Sequence, residues 1–591
     1  MCGIFAYAGV EPAAPQVFAG LRRLVYRGYD SWGVVEAIAG ELKWEKAVGH
    51  VPDLATEPHF APSTIGLGHT RWATHGGVTK INAHPHLAKD KSFALVHNGI
   101  VENAEELKLD LKKAGYSFLS QTDSEVLVRQ IEQFLTKKIS LREAMRQTAK
   151  KALGRNTIAV LTSDGLLLAV RSGSPLVVGR SAAGEEIMLS SDSLSLGTDC
   201  TEILVVENGQ IIEVQGGKLR LFAVSTGRQA KAKFEPHQNQ LQDLNKAGYA
   251  HFMLKEIHES AQTLQAVVAQ SPVELEVLAQ AIRQAKTVYT IGSGTAGAAA
   301  AQFAYYLRTI ARVNAISLVG AESQSYWPLF RKGDLIIAPS QSGETADVLE
   351  VLEHAKAKGV KIASYVNMAG SMMTRMSDFP FMAGAGPEFC VMSTKIFLSQ
   401  CAWGFLVASV VVDAYGHAIK QLREVSVQID ALLADKPLQQ QLIALAKTLT
   451  TSTSLFLLGK GQLMEIAREG MVKMIEGSYV HAHAIPAGDL KHYAITLMQP
   501  GVPVIVLTAK DSVLKDIESA AHEVSARGAQ VYSLGSATTS VSVAHVDIAD
   551  FGEVSALLTI VPVQLLAYYM AVEKGNSLDT PRNIAKSVTV K

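Results

Sequence analysis

The second half of the chain repeats one pattern, in which a short apolar segment is followed by a turn and a helix-length segment. At residues 287–291 (TVYTI) the apolar segment leads into GSGTAG and then an alanine-rich stretch. The six apolar segments of this kind are 287–291, 334–338, 361–366, 454–458, 502–507 and 530–534. Apolar strands that alternate with helices form parallel sheets with helices on both faces. We therefore predict two similar α/β domains.

Residues 2–225 have a different pattern, with short apolar segments such as 157–162, 166–170 and 202–206 separated by glycine-containing turns. This pattern predicts layered β-sheets that carry a few helices. Residues 225–245 are polar and rich in glutamine, which is typical of a linker. The predicted organisation is an N-terminal domain at 2–225, a linker at 226–268, two α/β domains at 269–430 and 431–578, and a C-terminal tail at 579–591.

The composition excludes several classes of protein. Lys plus Arg and Asp plus Glu both total 55, so no net charge attracts nucleic acid or an anionic membrane. The four cysteines, Cys2, Cys200, Cys390 and Cys401, form no metal-binding or disulfide pattern, which fits a reducing cytoplasm. No signal peptide is expected at the N-terminus. The apolar runs 396–412 and 554–572 are either membrane spans or buried core helices, and their polar residues favour core helices.

Cys2 is a candidate nucleophile. If Met1 is removed, Cys2 carries both a thiol and a free α-amine, and the amine can serve as the base that the thiol needs. The alternative is a small apolar cysteine near a terminus. Five motifs favour the nucleophile, namely Cys2-Gly3-Ile4, residues 26–31 (YRGYDS), 69–76 (HTRWATHG), 97–99 (HNG) and 121–123 (QTD).

With these motifs, the first half resembles the class II glutamine amidotransferases, whose glutaminase domain is an α+β N-terminal-nucleophile (Ntn) hydrolase sandwich. The resemblance implies that the Asn98 side chain and the Gly99 N–H stabilise a tetrahedral oxyanion. Arg71 is suited to the α-carboxylate of glutamine and Asp123 to its α-ammonium. The remaining glutamine-site residues that it implies are Trp72, Thr74 and His75. Trp72 also resembles the indole that gates an ammonia channel in the family.

Residues 340–345 (SQSGET) follow an apolar strand and precede a helix. Hydroxyl groups and backbone N–H groups at a helix N-terminus can hold a phosphate, although an ordinary N-cap has the same composition. The turn at 292–295 (GSGT) can line the same pocket. Glu469, Lys473 and Glu476 share one face of a helix, which is either a surface ladder of ion pairs or, given the apolar residues around it, a buried active-site face.

Residues 250–591 resemble the isomerase half of the glucosamine-6-phosphate synthase family, which has two SIS (sugar isomerase) domains. The resemblance rests on residues 340–347, 391–395, 488–492 and 581–590 and on the Glu469 helix. It implies phosphate binding by Ser340, Gln341, Ser342 and Thr345, and sugar binding by Thr295, Val391, Ser393 and Ala585. It also implies catalysis by Lys473, ring opening by His492, an imine at Lys586 and proton transfer by Glu476.

The substrates implied are glutamine and fructose 6-phosphate, with no cofactor, no metal, no nucleic acid, no membrane and a homodimer formed through the SIS domains in the cytoplasm. The chain departs from the family at Ala296, at Tyr493-Ala494 and at Trp32. Two alternatives follow. One is a relative that aminates another sugar phosphate, and the other is a sugar-phosphate-sensing regulator, which would need a helix-turn-helix segment that the sequence does not show.

Overall fold

The computed structural model describes residues 2–237 and 245–589. These residues fall in two compact units. The first comprises Met1–Leu244 together with Ala585–Lys591, and the second comprises Asn245–Ile584. The predicted linker residues 238–244 and Val590 of the predicted tail lie outside the described residues.

The first unit combines many short strands with four helices, counted over the residues that the structure describes. Its helices are α1 (Ala13–Arg23), α2 (Ala104–Lys113), α3 (Ser124–Leu135) and α4 (Leu141–Lys151). Its strands are β1 (Gly3–Ala8), β2 (Ser31–Ile38), β3 (Glu41–Val48), β4 (Ile65–Arg71), β5 (His86–Leu87), β6 (Phe93–Gly99), β7 (Asn156–Thr162), β8 (Leu167–Ser172), β9 (Val177–Ser181), β10 (Ile187–Ser190), β11 (Cys200–Val205), β12 (Gln210–Gln215), β13 (Lys218–Ala223), β14 (Gln229–Ala230) and β15 (Glu235–Pro236).

These strands form two antiparallel sheets that pack face to face. Their orders are β15-β11-β9-β10-β1-β4-β2-β3 and β14-β13-β12-β8-β7-β6-β5. Alternation along β1 explains the layers, because Ile4 and Ala6 join the core between the sheets while Phe5 and Tyr7 pack towards α1. Helices α2, α3 and α4 cover the outer face of the seven-stranded sheet. The predicted α+β sandwich is therefore confirmed.

The second unit alternates strands and helices. Its helices are α5 (Phe252–His258), α6 (Ser260–Val268), α7 (Pro272–Gln284), α8 (Gly294–Thr309), α9 (Ala346–Ala357), α10 (Met372–Met376), α11 (Lys395–Val411), α12 (Tyr415–Ala434), α13 (Lys436–Leu449), α14 (Met464–Ser478), α15 (Leu514–Ser525) and α16 (Ser555–Glu573). Its strands are β16 (Val288–Gly292), β17 (Ala315–Val319), β18 (Leu335–Ser340), β19 (Lys361–Val366), β20 (Phe379–Met382), β21 (Ser454–Gly459), β22 (His481–Pro486), β23 (Pro503–Thr508), β24 (Gln530–Gly535) and β25 (Ser542–Asp547).

The two sheets of the second unit are parallel and have the same topology. Their orders are β17-β16-β18-β19-β20 and β22-β21-β23-β24-β25, so in each the second strand of the chain lies outside the first. The predicted pair of similar α/β domains is confirmed. In a sheet of this order the ligand site lies where the strand order reverses, at the carboxyl ends of the first and third strands. For the first sheet these are the ends of β16 and β18.

Both apolar runs form buried helices. Every residue of α11 is buried, and so are nearly all residues of α16. The segment Gly552–Glu573 is long and apolar enough to cross a membrane, but 94% of its apolar window is buried inside the protein. The prediction of core helices is therefore confirmed.

The predicted linker, 226–268, carries regular structure at both ends. Strands β14 and β15 extend the sheets of the first unit, whereas α5 and α6 pack into the core of the second. Met253, Ile257 and Leu264 of these helices are fully buried. The polar segment 225–245 is thus followed by α5 and α6, and each of these helices buries one apolar face.

Candidate functional site

The thiol of Cys2 lies against the backbone of Trp72. The Trp72 N–H donates to Cys2 Sγ at 3.4 Å, and Sγ contacts the Trp72 carbonyl oxygen at 3.6 Å. Arg27 Nε donates to the Cys2 carbonyl oxygen at 3.3 Å, which holds the backbone beside the thiol. Burial raises the pKa of the Cys2 thiol, and the Trp72 hydrogen bond and the Arg71 charge oppose that rise only in part. The thiol therefore needs a base to become a thiolate.

Asn98 and Gly99 end strand β6. Asn98 Nδ2 donates to Ser191 Oγ at 2.7 Å, and both side chains are buried. Gly99 has a φ of 143°, and a Cβ atom there would lie 2.4 Å from the carbonyl oxygen of Arg155. Only glycine fits this position, because L-residues with a side chain rarely adopt that conformation and the space is already filled.

Arg71 and Asp123 are both buried charges. Arg71 donates through Nη2 to the His75 carbonyl oxygen at 2.6 Å and through Nη1 to that of Gly77 at 3.2 Å. Asp123 Oδ2 accepts the N–H of Val101 at 2.8 Å. Burial lowers the pKa of Arg71, and the charges of Cys2 and Asp123 oppose this shift, so the three groups share one electrostatic environment. The planar guanidinium group of Arg71 carries several N–H donors, so it can bind a carboxylate in addition to these carbonyl oxygens.

Thr74 and His75 lie on the exposed loop after β4. Thr74 Oγ1 contacts His75 Nδ1 at 3.4 Å, and the carbonyl group of His75 holds Arg71. The Trp72 side chain is half-buried at the start of this loop. Trp32 packs against Phe18 in the core with ring centroids 5.5 Å apart, so this departure from the family fills space under α1.

Four buried histidines line the interior beside these residues, and the sequence analysis did not identify them as a group. His84 Nδ1 lies 2.9 Å from His69 Nδ1, and His69 Nε2 lies 3.0 Å from the His97 carbonyl oxygen. His86 Nε2 contacts Thr122 Oγ1 at 3.0 Å. Burial lowers the pKa of His69 to about 3 and lowers the pKa values of His84 and His86 well below the ordinary range. These rings are therefore neutral and act through hydrogen bonds. The His-Pro-His sequence at 84–86 is the pattern that could have indicated this group of histidines.

In the second unit, residues 340–345 connect β18 to α9, as predicted. Ser340 Oγ accepts the N–H of Gly343 at 2.9 Å, and Ser342 Oγ accepts the N–H of Glu344 at 3.2 Å. Gly343 has a φ of 65°, and an added Cβ would lie 2.2 Å from Ser371 Oγ. Thr345 precedes α9 without a side-chain capping hydrogen bond, and Gln341 is half-buried. The loop therefore presents hydroxyl groups and a helix N-terminus at the carboxyl end of β18.

Helix α8 begins at the carboxyl end of β16, beside the same reversal of strand order. Thr295 Oγ1 donates to Glu469 Oε1 at 3.2 Å, which joins the first turn of α8 to α14. Ser293 Oγ is buried and has no hydrogen-bond partner among the described residues. Ala296 offers no hydroxyl group at the position where the family has serine.

Glu469, Lys473 and Glu476 share one face of α14, and the face is buried. Lys473 Nζ lies 2.5 Å from Glu476 Oε2 and 3.5 Å from Glu469 Oε1. The side chains of Glu469 and Lys473 are 0% and 1% exposed and that of Glu476 is 24% exposed, which excludes a surface ladder. Burial raises the pKa of Glu469 to about 8, and the two carboxylates raise the pKa of Lys473. Ile475 lies on the exposed side of α14.

Val391 and Ser393 lie in the segment before α11. Ser393 Oγ donates to Glu388 Oε2 at 2.7 Å, and the Val391 N–H donates to the Asp579 carbonyl oxygen at 3.0 Å. Glu388 and Glu256 are buried carboxylates that accept backbone N–H groups of this segment. Neither was predicted, because a lone glutamate gives no sign of its burial in the sequence.

His492 and the C-terminal residues are the remaining predicted site residues. His492 is exposed, and no side-chain hydrogen bond within the described ranges joins it to α14; Tyr493 beside it is also exposed. Ala585 and Lys586 belong to the first unit, where the Lys586 N–H donates to the Tyr26 carbonyl oxygen at 3.4 Å. Ser587 and Thr589 of the tail are buried, whereas Val588 between them is 39% exposed.

Comparisons with known proteins give the class. The glutamine amidotransferase domain family matches residues 50–145, and the SIS domain family matches residues 281–409 and 448–574. The isolated C-terminal domain of glucosamine-fructose-6-phosphate aminotransferase from Francisella tularensis superposes with a TM-score of 0.52 and 27% identity over 57% of this chain and 100% of that chain. The fold and the matched domains thus define a glutamine amidotransferase joined to two SIS domains.

Full-length relatives narrow the class to one family. Glutamine–fructose-6-phosphate aminotransferase [isomerizing] from Caulobacter vibrioides is 36% identical, and that from Caldanaerobacter subterraneus subsp. tengcongensis is 34% identical. Both alignments cover 100% of this chain and 100% of the relative. The chain belongs to the family of isomerizing glutamine–fructose-6-phosphate aminotransferases.

Proposed function

We propose that this chain transfers the amide nitrogen of glutamine to fructose 6-phosphate and isomerises the product, giving glucosamine 6-phosphate and glutamate. The observation that carries the proposal is the pairing of two sites in one chain. One is the Cys2 thiol, which shares its surroundings with Arg71 and Asp123. The other is the Glu469–Lys473–Glu476 face, which Thr295 of α8 contacts and which shares its unit with a phosphate-binding type of loop at 340–345. Neither site alone makes an amino sugar.

In the first unit, Cys2 Sγ attacks the side-chain carbonyl carbon of glutamine. The α-amine of Cys2, free after removal of Met1, takes the thiol proton and delivers it to the leaving nitrogen. A γ-glutamyl thioester forms, ammonia leaves, and water then hydrolyses the thioester to glutamate. Asn98 and the Gly99 N–H stabilise the oxyanion of both steps. Arg71 binds the α-carboxylate and Asp123 the α-ammonium, while Trp72, Thr74 and His75 cover the glutamine.

At the proposed sugar-phosphate site, the phosphate is held by Ser340, Gln341, Ser342 and Thr345. The bound sugar is lined by Thr295, Val391, Ser393 and Ala585. His492 opens the ring, Lys586 forms an imine with the C2 carbonyl group, and ammonia displaces the lysine from that carbon. Glu476 then moves a proton from C1 to C2, with Lys473 fixing its position through the 2.5 Å contact.

The proposal includes a homodimer formed through the SIS domains and a reaction in the cytoplasm. The exposed side chain of His492 is accessible to a second copy, which supports a site completed between two chains. The free thiols of all four cysteines are compatible with a reducing compartment. Light scattering of the purified protein, together with restoration of activity when His492→Ala and Lys473→Ala chains are mixed, tests the dimer.

The experiment that tests the function is incubation of purified protein with glutamine and a panel of phosphosugars. We expect glutamate and glucosamine 6-phosphate in equal amounts from fructose 6-phosphate. Cys2→Ala should abolish glutamate release and leave sugar isomerisation intact. Amination of a different sugar phosphate, with none of fructose 6-phosphate, would favour the related amidotransferase, for which Ala296 and Tyr493 are the relevant departures. Glutamate release by Cys2→Ala would refute the assignment of the nucleophile.

A further inference from the structure

Ser191 connects the two sheets of the first unit at the proposed glutaminase site. It follows β10 directly, next to the strand that begins after Cys2. Its N–H donates to the Ile4 carbonyl oxygen at 3.0 Å, and its Oγ accepts the Ile4 N–H at 2.8 Å. The same Oγ accepts Asn98 Nδ2 at 2.7 Å. One hydroxyl oxygen therefore binds both the strand of Cys2 and the side chain of Asn98.

The Asn98 carboxamide depends on this contact for its orientation. Its Oδ1 atom is buried, and the side chain also interacts with the imidazole of His69, while Ser191 binds its Nδ2 atom. An amide nitrogen carries two N–H groups, and Ser191 takes one of them. Fixing the first N–H fixes the direction of the second, because the amide is planar. The second N–H is the one left to bind a developing oxyanion.

The loop around Ser191 is itself held firmly. Asp192 Oδ1 accepts the Leu194 N–H at 3.1 Å, and Ser195 Oγ donates to the Asp192 carbonyl oxygen at 2.8 Å. Arg27, which holds the Cys2 carbonyl oxygen, pairs with Asp192 Oδ2 at 3.3 Å. The nucleophile and the oxyanion donor thus share one rigid support, formed by residues 190–195. Ser191 is fully buried, so water does not compete for its hydroxyl.

We propose that Ser191 is a positioning residue for amide hydrolysis, which aims the second N–H of Asn98 at the oxyanion and keeps it in register with Cys2. The proposal rests on the function proposed above for Cys2 and Asn98. Removal of an oxyanion donor typically lowers kcat by about a hundredfold to a thousandfold. Loss of its orientation, with the donor still present, should cost about tenfold to a hundredfold.

The test is a double-mutant cycle on glutamate release. Ser191→Ala should lower kcat by about tenfold to a hundredfold while KM for glutamine changes by less than about threefold. In an Asn98→Ala background the same change should have no further effect, since Ser191 acts through Asn98. Ser191→Thr, which keeps the hydroxyl group, should recover most of the activity. The matched control is Ser174→Ala, which removes another buried hydroxyl from the first unit.

Alkylation of Cys2 by iodoacetamide supplies a second readout, because that reaction forms no oxyanion. We expect Ser191→Ala to react within about twofold of the unchanged protein. An effect of Ser191→Ala that multiplies with that of Asn98→Ala, or a fall in alkylation that parallels kcat, would overturn the proposal. Glutamate release by Cys2→Ala would instead refute the function proposed for Cys2. The double-mutant cycle on Ser191 and Asn98 would still be interpreted independently of that result.

Discussion

Replacing Glu469 by glutamine should change how the stability of the second unit depends on pH. Glu469 is 0% exposed, and burial raises its pKa from the ordinary 4.5 to about 8. Between pH 4.5 and about pH 8 the Glu469 carboxyl group is ionised in the unfolded chain but stays protonated in the folded chain. Rising pH therefore favours unfolding, and the stability present below pH 4.5 is lost progressively as the pH approaches 8. Glutamine has no proton to release, so Glu469→Gln removes this loss.

The expected magnitude follows from the linkage between proton binding and folding. Each pH unit inside the window is worth about 1.4 kcal/mol. Between pH 5.5 and pH 7.5 the free energy of unfolding of Glu469→Gln, relative to the unchanged protein, should therefore rise by about 2.7 kcal/mol. The whole window corresponds to about 5 kcal/mol at most. The Lys473 ammonium lowers the pKa of Glu469, but burial has the larger effect, so the pKa stays raised.

Urea unfolding followed by circular dichroism at several pH values provides the assay. The matched control is Glu424→Gln on α12, because the side chain of Glu424 is 51% exposed. Both variants are compared with the unchanged protein at each pH. If the Glu469→Gln difference stays constant within about 0.5 kcal/mol from pH 5.5 to pH 7.5, Glu469 is ionised in the fold and the reasoning is wrong.

Three further predictions concern the reaction itself. Trp72→Ala should release glutamate in excess of amino sugar, because ammonia that meets water is protonated and loses its nucleophilic lone pair; a product ratio of one to one would contradict a gate. Lys586→Arg should abolish the covalent adduct that borohydride traps with fructose 6-phosphate, because guanidinium forms no imine; mapping of the adduct to another lysine would contradict this role. Arg71→Lys should raise KM for glutamine by about tenfold or more through loss of bidentate carboxylate binding, and a fall in kcat alone, at constant KM, would count against it.

The strands predicted from sequence are those in the interior of the parallel sheets. Segments such as 287–291 and 502–507 became β16 and β23, which are covered on both faces and therefore read as continuous apolar runs. The four strands that were missed, β17, β20, β22 and β25, are the edge strands of the two sheets. In each of them buried residues are mixed with exposed or partly exposed ones, whereas β16 and β23 are buried throughout.

Site residues could be predicted where they belong to a recognisable sequence motif. They could not be predicted where their role depends only on what they contact in the folded protein. Cys2, Asn98 and Asp123 stand in short motifs whose chemistry is readable in the sequence. The burial of Glu469 was predicted because apolar neighbours surround it along one helix. Glu388 and Ser191 were not found, because each acts through a partner distant in the sequence, and the residue type alone gives no sign of that partner.

The grouping of residues 585–589 with the first unit has a consequence for biosynthesis. These residues leave the ribosome only after the whole second unit has been made, about 350 residues after the sheets of the first. At ordinary translation speeds this interval is roughly 20 to 70 seconds. During that time the first unit already contains Cys2 but still lacks residues 585–589. The order of synthesis therefore delays completion of the ammonia-producing half until the half that consumes ammonia exists.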